Sequence, residues 1–395
     1  MSKLFMFEKP MGMRDTFPHL YKMKKNIRSK VENEMSAWGY QFLETPTLEY
    51  DETVGEASAI LDQQLFKLLD QQGRTLVLRP DMTAPIARVA ASKLLQDRNP
   101  LRLAYSANVF RAQQREGGRP AEFEQMGVEL IGDSSVSADA ETIALLVSSL
   151  KAAGLKDFTI SIGHMEFVRQ LFLQIVGTED RSQQLRRYLY DKNYVGYRKH
   201  VESLPLSSID KQRLMRLLTI RGNGSSIADA RALLEGEQGT KPLAELQELI
   251  EVLQDYNVED YVTIDVSLVS HMSYYTGVLF EVYADRVGYS LGNGGRYNHL
   301  LQKFGAGVGA TGFGIRLDYL MEALSPQASE ESSALILFSS ERRKEAMELA
   351  NELRAKSQSV ISQDVRGVAD VDRFTAQFKD VHWIVGQSGK AGGRA

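Results

Sequence analysis

Leu101-Arg102-Leu103-Ala104-Tyr105-Ser106-Ala107-Asn108-Val109-Phe110-Arg111 and Ala121-Glu122-Phe123-Glu124-Gln125-Met126-Gly127-Val128-Glu129-Leu130-Ile131 are two extended segments joined by the polar, glycine-bearing stretch 113–120. That pattern predicts two long antiparallel strands with an exposed loop between them. Residues two apart on a strand share a face, so Gln125 and Glu129 face one way and Glu122 the other. Polar groups on a sheet face otherwise built for burial are costly unless they bind something.

Working outward, Leu20, Met23, Ile27, Val31, Met35 and Trp38 recur at helical spacing and Gly39 stands at the C-terminal cap position. Tyr40 to Glu44 reads as a strand, 64–69 and 75–79 as a hairpin around Asp70 to Arg74, and Met82 to Leu95 as a helix. On the C-terminal side come a helix from Ala138 to Ala153 ended by Gly154, a strand from Phe158 to Gly163, and a helical stretch of about 165–258, broken at Gly222-Asn223-Gly224. Strands resume at Tyr261 to Asp265, Gly277 to Tyr283 and Tyr289 to Gly292, followed by a glycine-rich turn and a helix near Arg316 to Ala323. The stretch 325–333 has linker composition. Beyond it a strand at Ala334 to Phe338, a helix from Glu341 to Ser357 and a strand at His382 to Val385 predict a small α/β unit over 334–395, with a disordered end at Gly389 to Ala395. The expected fold class is therefore α+β: one domain over 1–324 carrying a helical insertion, then the linker and the small unit.

Composition narrows the function. The chain has 395 residues, 43% hydrophobic and 25% charged, which is ordinary for globular domains. No apolar run approaches the roughly 18 to 20 residues needed to span a bilayer. The first residues lack the pattern of an export or transit signal, so a cytoplasmic protein with no membrane association is expected. There is no cysteine, which removes disulfides, thiol nucleophiles and cysteine-type zinc sites. A net charge of −4 argues against nucleic acid as a partner. None of the six histidines is paired at the i,i+4 spacing of two metal ligands on one helix face, so no metal is expected. Gly307-Val308-Gly309-Ala310-Thr311-Gly312 matches a dinucleotide fingerprint by letter, but it follows a helical pattern rather than a strand. We read those glycines as a tight turn and close packing of the next strand, with no cofactor.

The informative groups are Asp81 and Thr83 in Arg79-Pro80-Asp81-Met82-Thr83, Arg111 at the end of the first long strand, Gln125 and Glu129 on the second, and Tyr274-Tyr275 in a later extended segment. Carboxylates, a guanidinium and aromatic rings together could line a pocket for a small zwitterion. Taken singly, each residue favours the plainer reading: Arg111 with Glu129 as a buried ion pair, and Tyr274 as an ordinary core tyrosine.

At these residues the chain resembles histidyl-tRNA synthetases, class II synthetases with an antiparallel catalytic sheet flanked by helices, from Gly12-Met13-Arg14-Asp15 to about Leu324. Leu78-Arg79-Pro80-Asp81-Met82-Thr83 resembles the family's Leu-Arg-Pro-Glu-Gly-Thr, and Phe110-Arg111 opens and Glu122 to Glu129 closes its second class motif. Ser273-Tyr274-Tyr275-Thr276-Gly277-Val278-Leu279-Phe280-Glu281 resembles its histidine-specific segment, and Gly294-Gly295-Arg296-Tyr297 its Gly-Gly-Arg-Tyr turn. The resemblance implies that Asp81, Thr83, Arg111, Gln125, Glu129, Tyr274 and Tyr275 contact histidine.

The same comparison implies that ATP chemistry is lost. Activation needs preorganised cations against the phosphates. The family's arginine for the α-phosphate opens an Arg-Gly-Leu-Asp run that is matched here by Ser270-His271-Met272-Ser273. Its Gly-Leu-Glu-Arg, whose arginine grips the terminal phosphate, is matched by Arg316-Leu317-Asp318-Tyr319. Gln113 replaces the glutamate that reads adenine, and Asn298 replaces the aspartate after Gly-Gly-Arg-Tyr. Losing one preorganised donor typically costs ~10² to 10³ in rate, so two lost arginines leave no catalytic residue to name, and Arg316 is not read as a substitute. The final unit is short for an anticodon-reading domain, so no tRNA is expected. A chain that keeps histidine contacts and drops ATP chemistry resembles the regulatory subunits of ATP phosphoribosyltransferase. That resemblance implies a non-catalytic role in histidine biosynthesis, self-association as a dimer, a hetero-octamer with the short-form catalytic subunit, and L-histidine as effector. The competing readings are a histidine-activating ligase acting on a non-standard acceptor and an RNA-binding protein without catalysis.

Overall fold

In a computed structural model, the structure describes residues 8–96, 100–112, 120–236, 239–270, 274–324 and 333–386. Gln113, His271 to Ser273, most of the stretch 325–333 and the end at Gly389 to Ala395 lie outside them. The chain divides into two compact units, Met1–Pro326 and Gln327–Ala395.

The first unit opens with α1 (Pro18–Ala37), which starts on proline and buries Ile27, Val31 and Met35 from the predicted stripe. Gly39 follows at φ +83°, the left-handed conformation that ends a helix. Next come β1 (Gln41–Phe42), β2 (Leu48–Tyr50), and the predicted hairpin β3 (Lys67–Leu69) and β4 (Thr75–Leu78). The expected helix over 82–95 is α2 (Thr83–Val89), continued by a wider turn over Ala90–Leu94. The long strands are β5 (Leu101–Phe110) and β6 (Glu122–Ile131), and they pair antiparallel, with Leu101 opposite Ile131 and Phe110 opposite Glu122. Helix α3 (Val136–Ala153) begins on a Ser135 cap and ends at Gly154 in the left-handed region. It is followed by β7 (Phe158–His164).

The insertion comprises α4 (Met165–Val176), α5 (Glu179–Tyr190), α6 (Tyr194–Ser203), α7 (Ser208–Leu217), the short β8 (Arg221–Gly222), α8 (Ser225–Arg231) and α9 (Thr240–Asp255). The sheet then resumes with β9 (Val262–Asp265), β10 (Val278–Ala284), β11 (Gly292–Arg296) and β12 (Ala310–Arg316), and α10 (Leu317–Leu324) closes the unit.

Nine strands form the main sheet in the order β1-β5-β6-β12-β11-β10-β7-β9-β8. From β5 to β7 all pairs are antiparallel, as expected, but β1 joins β5 and β9 joins β7 in parallel. The second departure has a plain cause: β7 and β9 are linked by the helical insertion, and a helical crossover returns the chain in the same direction. A second correction concerns Gly292 to Arg296, expected as a turn preceded by a strand at Tyr289 to Gly292. It is strand β11 itself. A Cβ at Gly294 would lie 2.4 Å from the Gly312 carbonyl oxygen and 2.4 Å from the Phe280 ring. Glycine here answers a close approach of neighbours, not a turn. Tyr274 and Tyr275, expected within a strand, lie in the loop that enters β10.

The two sheet faces build two cores. Met126, Val128 and Leu130 pack with α1 and α3 on one side, while Tyr105 and Phe123 pack on the other with Met82, Ile86, Tyr274 and Tyr297. In the second unit β13 (Ala334–Phe338) lies between parallel β14 (Val360–Asp364) and β15 (Val381–Ile384), with α11 (Arg343–Ala355) and α12 (Val371–Thr375). Ile336, Phe338 and Ile384 pack with Ala346 and Ala350 of α11.

Candidate functional site

The segment between β4 and α2 is pinned to the end of β5. Arg79 donates from Nη1 to the Thr45 carbonyl at 2.7 Å and from Nε to the Asn108 carbonyl at 2.8 Å. Arg111 Nε donates to the Pro80 carbonyl at 2.8 Å. These bonds fix Asp81, whose Oδ1 accepts from the Ala84 backbone N–H at 3.3 Å at the start of α2. Thr83, the first residue of that helix, then faces Glu129 on β6.

Period-two alternation sorts β6 as predicted. Phe123, Gln125 and Glu129 turn toward α2. Glu124 turns the other way, and Lys24 and Arg28 of α1 pair with it. Glu122 accepts from Asn108 at 2.7 Å. Asp81, Thr83, Arg111, Gln125, Glu129, Tyr274 and Tyr275 line one narrow cavity, together with Asn293, Tyr297, Gly312, Phe313 and Gly314. Glu129 is hydrogen-bonded by the Tyr297 hydroxyl and held by Thr83. The Tyr274 ring meets those of Tyr275 and Tyr297 edge-on at 4.9 and 5.8 Å.

The glycines, Tyr297 and Asn293 were not among the expected pocket residues. A Cβ at Gly312 would stand 2.1 Å from Glu129 Oε2, and one at Gly314 would stand 1.9 Å from Gln125 Nε2. The two glycines therefore make room for the two polar side chains. The available signal was their alternation with Phe313, opposite Val128 in the sheet register.

The electrostatics are those of a buried site. Asp81 and Glu129 are each only 2% exposed. Burial pushes the Asp81 carboxyl up to about 6, against the pull of the Arg111 charge and the Ala84 N–H. Burial pushes Glu129 up to about 8, opposed by hydrogen bonds from Tyr297 and Thr83. Burial also lowers the Arg111 guanidinium from its ordinary value, and the Asp81 charge opposes this. Among the described residues, Asp81 Oδ2 and Gln125 Oε1 are buried without a hydrogen-bond partner. A buried carboxylate oxygen without a partner in the protein can accept from a ligand donor.

Next to this cavity, the residues at positions matching the family's ATP side are engaged with their neighbours. The Arg316 guanidinium lies 3.6 Å from the Phe123 ring centre and 3.7 Å from that of Tyr319, and it pairs with Asp318 at 2.8 Å. Tyr319 is buried and packs on Tyr289 at 4.1 Å. Arg296 is equally committed. It donates to Asp139 at 2.9 Å and to the carbonyls of Asp133 and Ser135 at 3.0 and 2.8 Å, tying β11 to the start of α3. Asn298 Oδ1 accepts from the Ala310 N–H at 3.3 Å. Among the described residues no group of His, Asp and Glu could hold a metal ion.

Fold and site together define a chain of the histidyl-tRNA synthetase class. The family model described as histidyl-tRNA synthetase matches residues 12–320, and that described as "Histidyl-tRNA synthetase HisZ, C-terminal domain" matches residues 335–386. A histidyl-tRNA synthetase structure from Nostoc shares the fold at 19% identity, with a TM-score of 0.79 over 94% of this chain and 89% of that one.

The ATP phosphoribosyltransferase regulatory subunit of Geobacillus thermodenitrificans is 58% identical over 390 residues, 99% of each chain. That of Bacillus subtilis is 55% identical over 383 residues, 97% of this chain and 98% of its own. A crystal structure described as an ATP phosphoribosyltransferase regulatory subunit/histidyl-tRNA synthetase from Bacillus halodurans superposes with a TM-score of 0.90 at 57% identity, covering 98% of this chain and 100% of that one. The chain belongs to the family of ATP phosphoribosyltransferase regulatory subunits.

Proposed function

We propose that this chain is the non-catalytic subunit required by the short-form catalytic subunit of ATP phosphoribosyltransferase for the first step of histidine biosynthesis, and that L-histidine in the β6–α2 cavity is its feedback signal. The observation that carries the reading is the pairing of a buried cavity, holding two carboxyls with Asp81 Oδ2 unpartnered, with a neighbouring stack of Arg316, Phe123 and Tyr319 at positions that match the ATP side of the synthetases.

Histidine brings an ammonium group, a carboxylate and an imidazole. Asp81 supplies the counter-charge for the ammonium and Arg111 that for the carboxylate, while Glu129, Gln125 and Thr83 offer acceptors and donors to the remaining polar atoms. The tyrosines enclose the ring. The rival ligase reading needs cations at Ser270 and Tyr319, and neither side chain carries a charge. Assembly is proposed as a dimer of this chain within a hetero-octamer in the cytoplasm, without tRNA. Among the described residues no helix is long and apolar enough to cross a membrane. Feedback requires that histidine bind the inhibited assembly more tightly than the active one, and the coupling is reciprocal, so substrates of the catalytic subunit weaken histidine binding.

The test is to mix this chain with a short-form catalytic subunit and follow phosphoribosyl-ATP formation with and without histidine. Activity that depends on this chain and falls with histidine is expected. Absence of stimulation refutes the regulatory role, and stimulation insensitive to histidine refutes the effector.

A further inference from the structure

A second cavity, of about 310 Å³, lies between the outer face of the sheet and the helical insertion. The sheet lines it with carboxylates, Asp265 at the end of β9 and Glu281 on β10, the latter beside Tyr283. The insertion side brings cations, Lys192 from the α5–α6 turn and Arg221 from β8, with Tyr194 near them. Lys192 Nζ donates to the Tyr283 hydroxyl at 2.6 Å and lies 3.7 Å from Glu281. Arg221 Nε lies 3.0 Å from Asp265, and its Nη2 donates to Tyr194 at 3.3 Å.

Two features leave these cations available to a ligand. The Lys192 and Arg221 side chains remain 54% and 49% exposed, so their present pairings contribute little and either cation can turn to a stronger anion. Lys192 also sits at φ +52°, the left-handed position after a helix where glycine is the unstrained choice. The backbone strain is tolerated at a position whose long side chain reaches into the cavity.

We propose that this cavity binds a phosphorylated pentose, free or within a nucleotide, with Lys192 and Arg221 on the phosphate and Asp265 and Glu281 accepting from the sugar hydroxyls. Cations from two separate segments suit an anion of more than one charge, since a phosphate offers oxygens to both. Carboxylates and tyrosine hydroxyls suit a polyol. The volume falls within the range of small-molecule sites.

Calorimetric titration of the full chain, with histidine present at saturation, would use ribose 5-phosphate, AMP, inorganic phosphate and ribose as probes. Ribose 5-phosphate or AMP is expected to bind more tightly than inorganic phosphate or ribose. Whichever of the two binds better identifies the free sugar phosphate or the nucleotide as the source. Lys192→Gly is expected to weaken that binding about ten-fold or more, the loss of one charge-assisted hydrogen bond. Because it also relieves the left-handed strain, it should melt no lower than wild type and bind histidine unchanged. Arg221→Gln is expected to weaken the same probe. No binding by either phosphorylated probe, equal affinity for inorganic phosphate, or Lys192→Gly binding as wild type would overturn the proposal.

Discussion

Replacing Asp81 by asparagine is expected to make the ligand-free protein more stable and to weaken the proposed binding of histidine. The carboxyl stands at about 6 in the folded chain against an ordinary 3.8. For an acid whose folded value is raised, the folded state holds its proton longer than the unfolded state does. Stability relative to a neutral isostere is therefore full below about pH 4 and is lost as pH climbs through about 6. Roughly two units at 1.36 kcal/mol each set a ceiling of about 3 kcal/mol. Asparagine keeps the Oδ1 acceptor for the Ala84 N–H and removes the charge.

Urea unfolding of the two proteins at a series of pH values should show coincident midpoints near pH 4, then a gap in favour of Asp81→Asn that opens up to about pH 6 and stays constant above. Titration with histidine near pH 7.5 should show the opposite sign. Loss of a charge-assisted bond to the ammonium, about 1.5 to 3 kcal/mol, weakens binding roughly ten- to 150-fold. A variant that is less stable than wild type at neutral pH, or one that binds histidine equally well, refutes the reasoning that a desolvated, unsatisfied carboxylate is held there for the ligand.

Glu129→Gln should show a shifted window, its stability advantage still growing between pH 6 and pH 8 because burial raises Glu129 to about 8; pH-dependent urea midpoints separate it from the Asp81 variant. Gly314→Ala places a methyl 1.9 Å from Gln125 Nε2; displacement of that side chain is expected to abolish measurable histidine binding and to cost about 1 to 3 kcal/mol in chemical denaturation. Arg296→Met leaves Asp139 buried and uncompensated, and a loss of about 3 to 5 kcal/mol is expected, with faster amide exchange at the start of α3. Histidine-dependent exchange of pyrophosphate into ATP should stay at background in wild type and in Tyr319→Arg alike, because position 270 still lacks its cation; any exchange above background in either contradicts the loss of ATP chemistry.

Much of this was legible in the sequence because strand alternation is strict. Gln125 and Glu129 share a face four residues apart, and the structure places both in the cavity with Glu122 turned away. The long-range partners came from resemblance alone: nothing local to Asp81 or Tyr274 indicates that α2 and the loop before β10 meet over β6. Glycine misled the local reading. Gly292, Gly294 and Gly295 look like a turn, yet they form β11, and Gly312 and Gly314 line the pocket, because their neighbours approach too closely for a Cβ. Propensity describes what a residue prefers alone, whereas these positions are set by what lies opposite. The same limit hid β14, whose Ser362-Gln363-Asp364 are polar residues in a half-covered strand. The parallel joins at the sheet edges likewise depend on how the insertion crosses over, which no short window records.

The stack of Arg316 between Phe123 and Tyr319 also bears on how its members can be substituted. Restoring arginine at 319 alone would set two guanidinium groups against each other and remove a ring on which one of them rests. Restoring glycine at 316 alone would strip Phe123 and Tyr319 of the cation between them and leave Asp318 unpaired. Each single step is expected to lower the unfolding midpoint and still leaves no cation at position 270. Positions 316 and 319 are thus mutually dependent: each side chain is held by the other and by Phe123, so a change at one alters the surroundings of both.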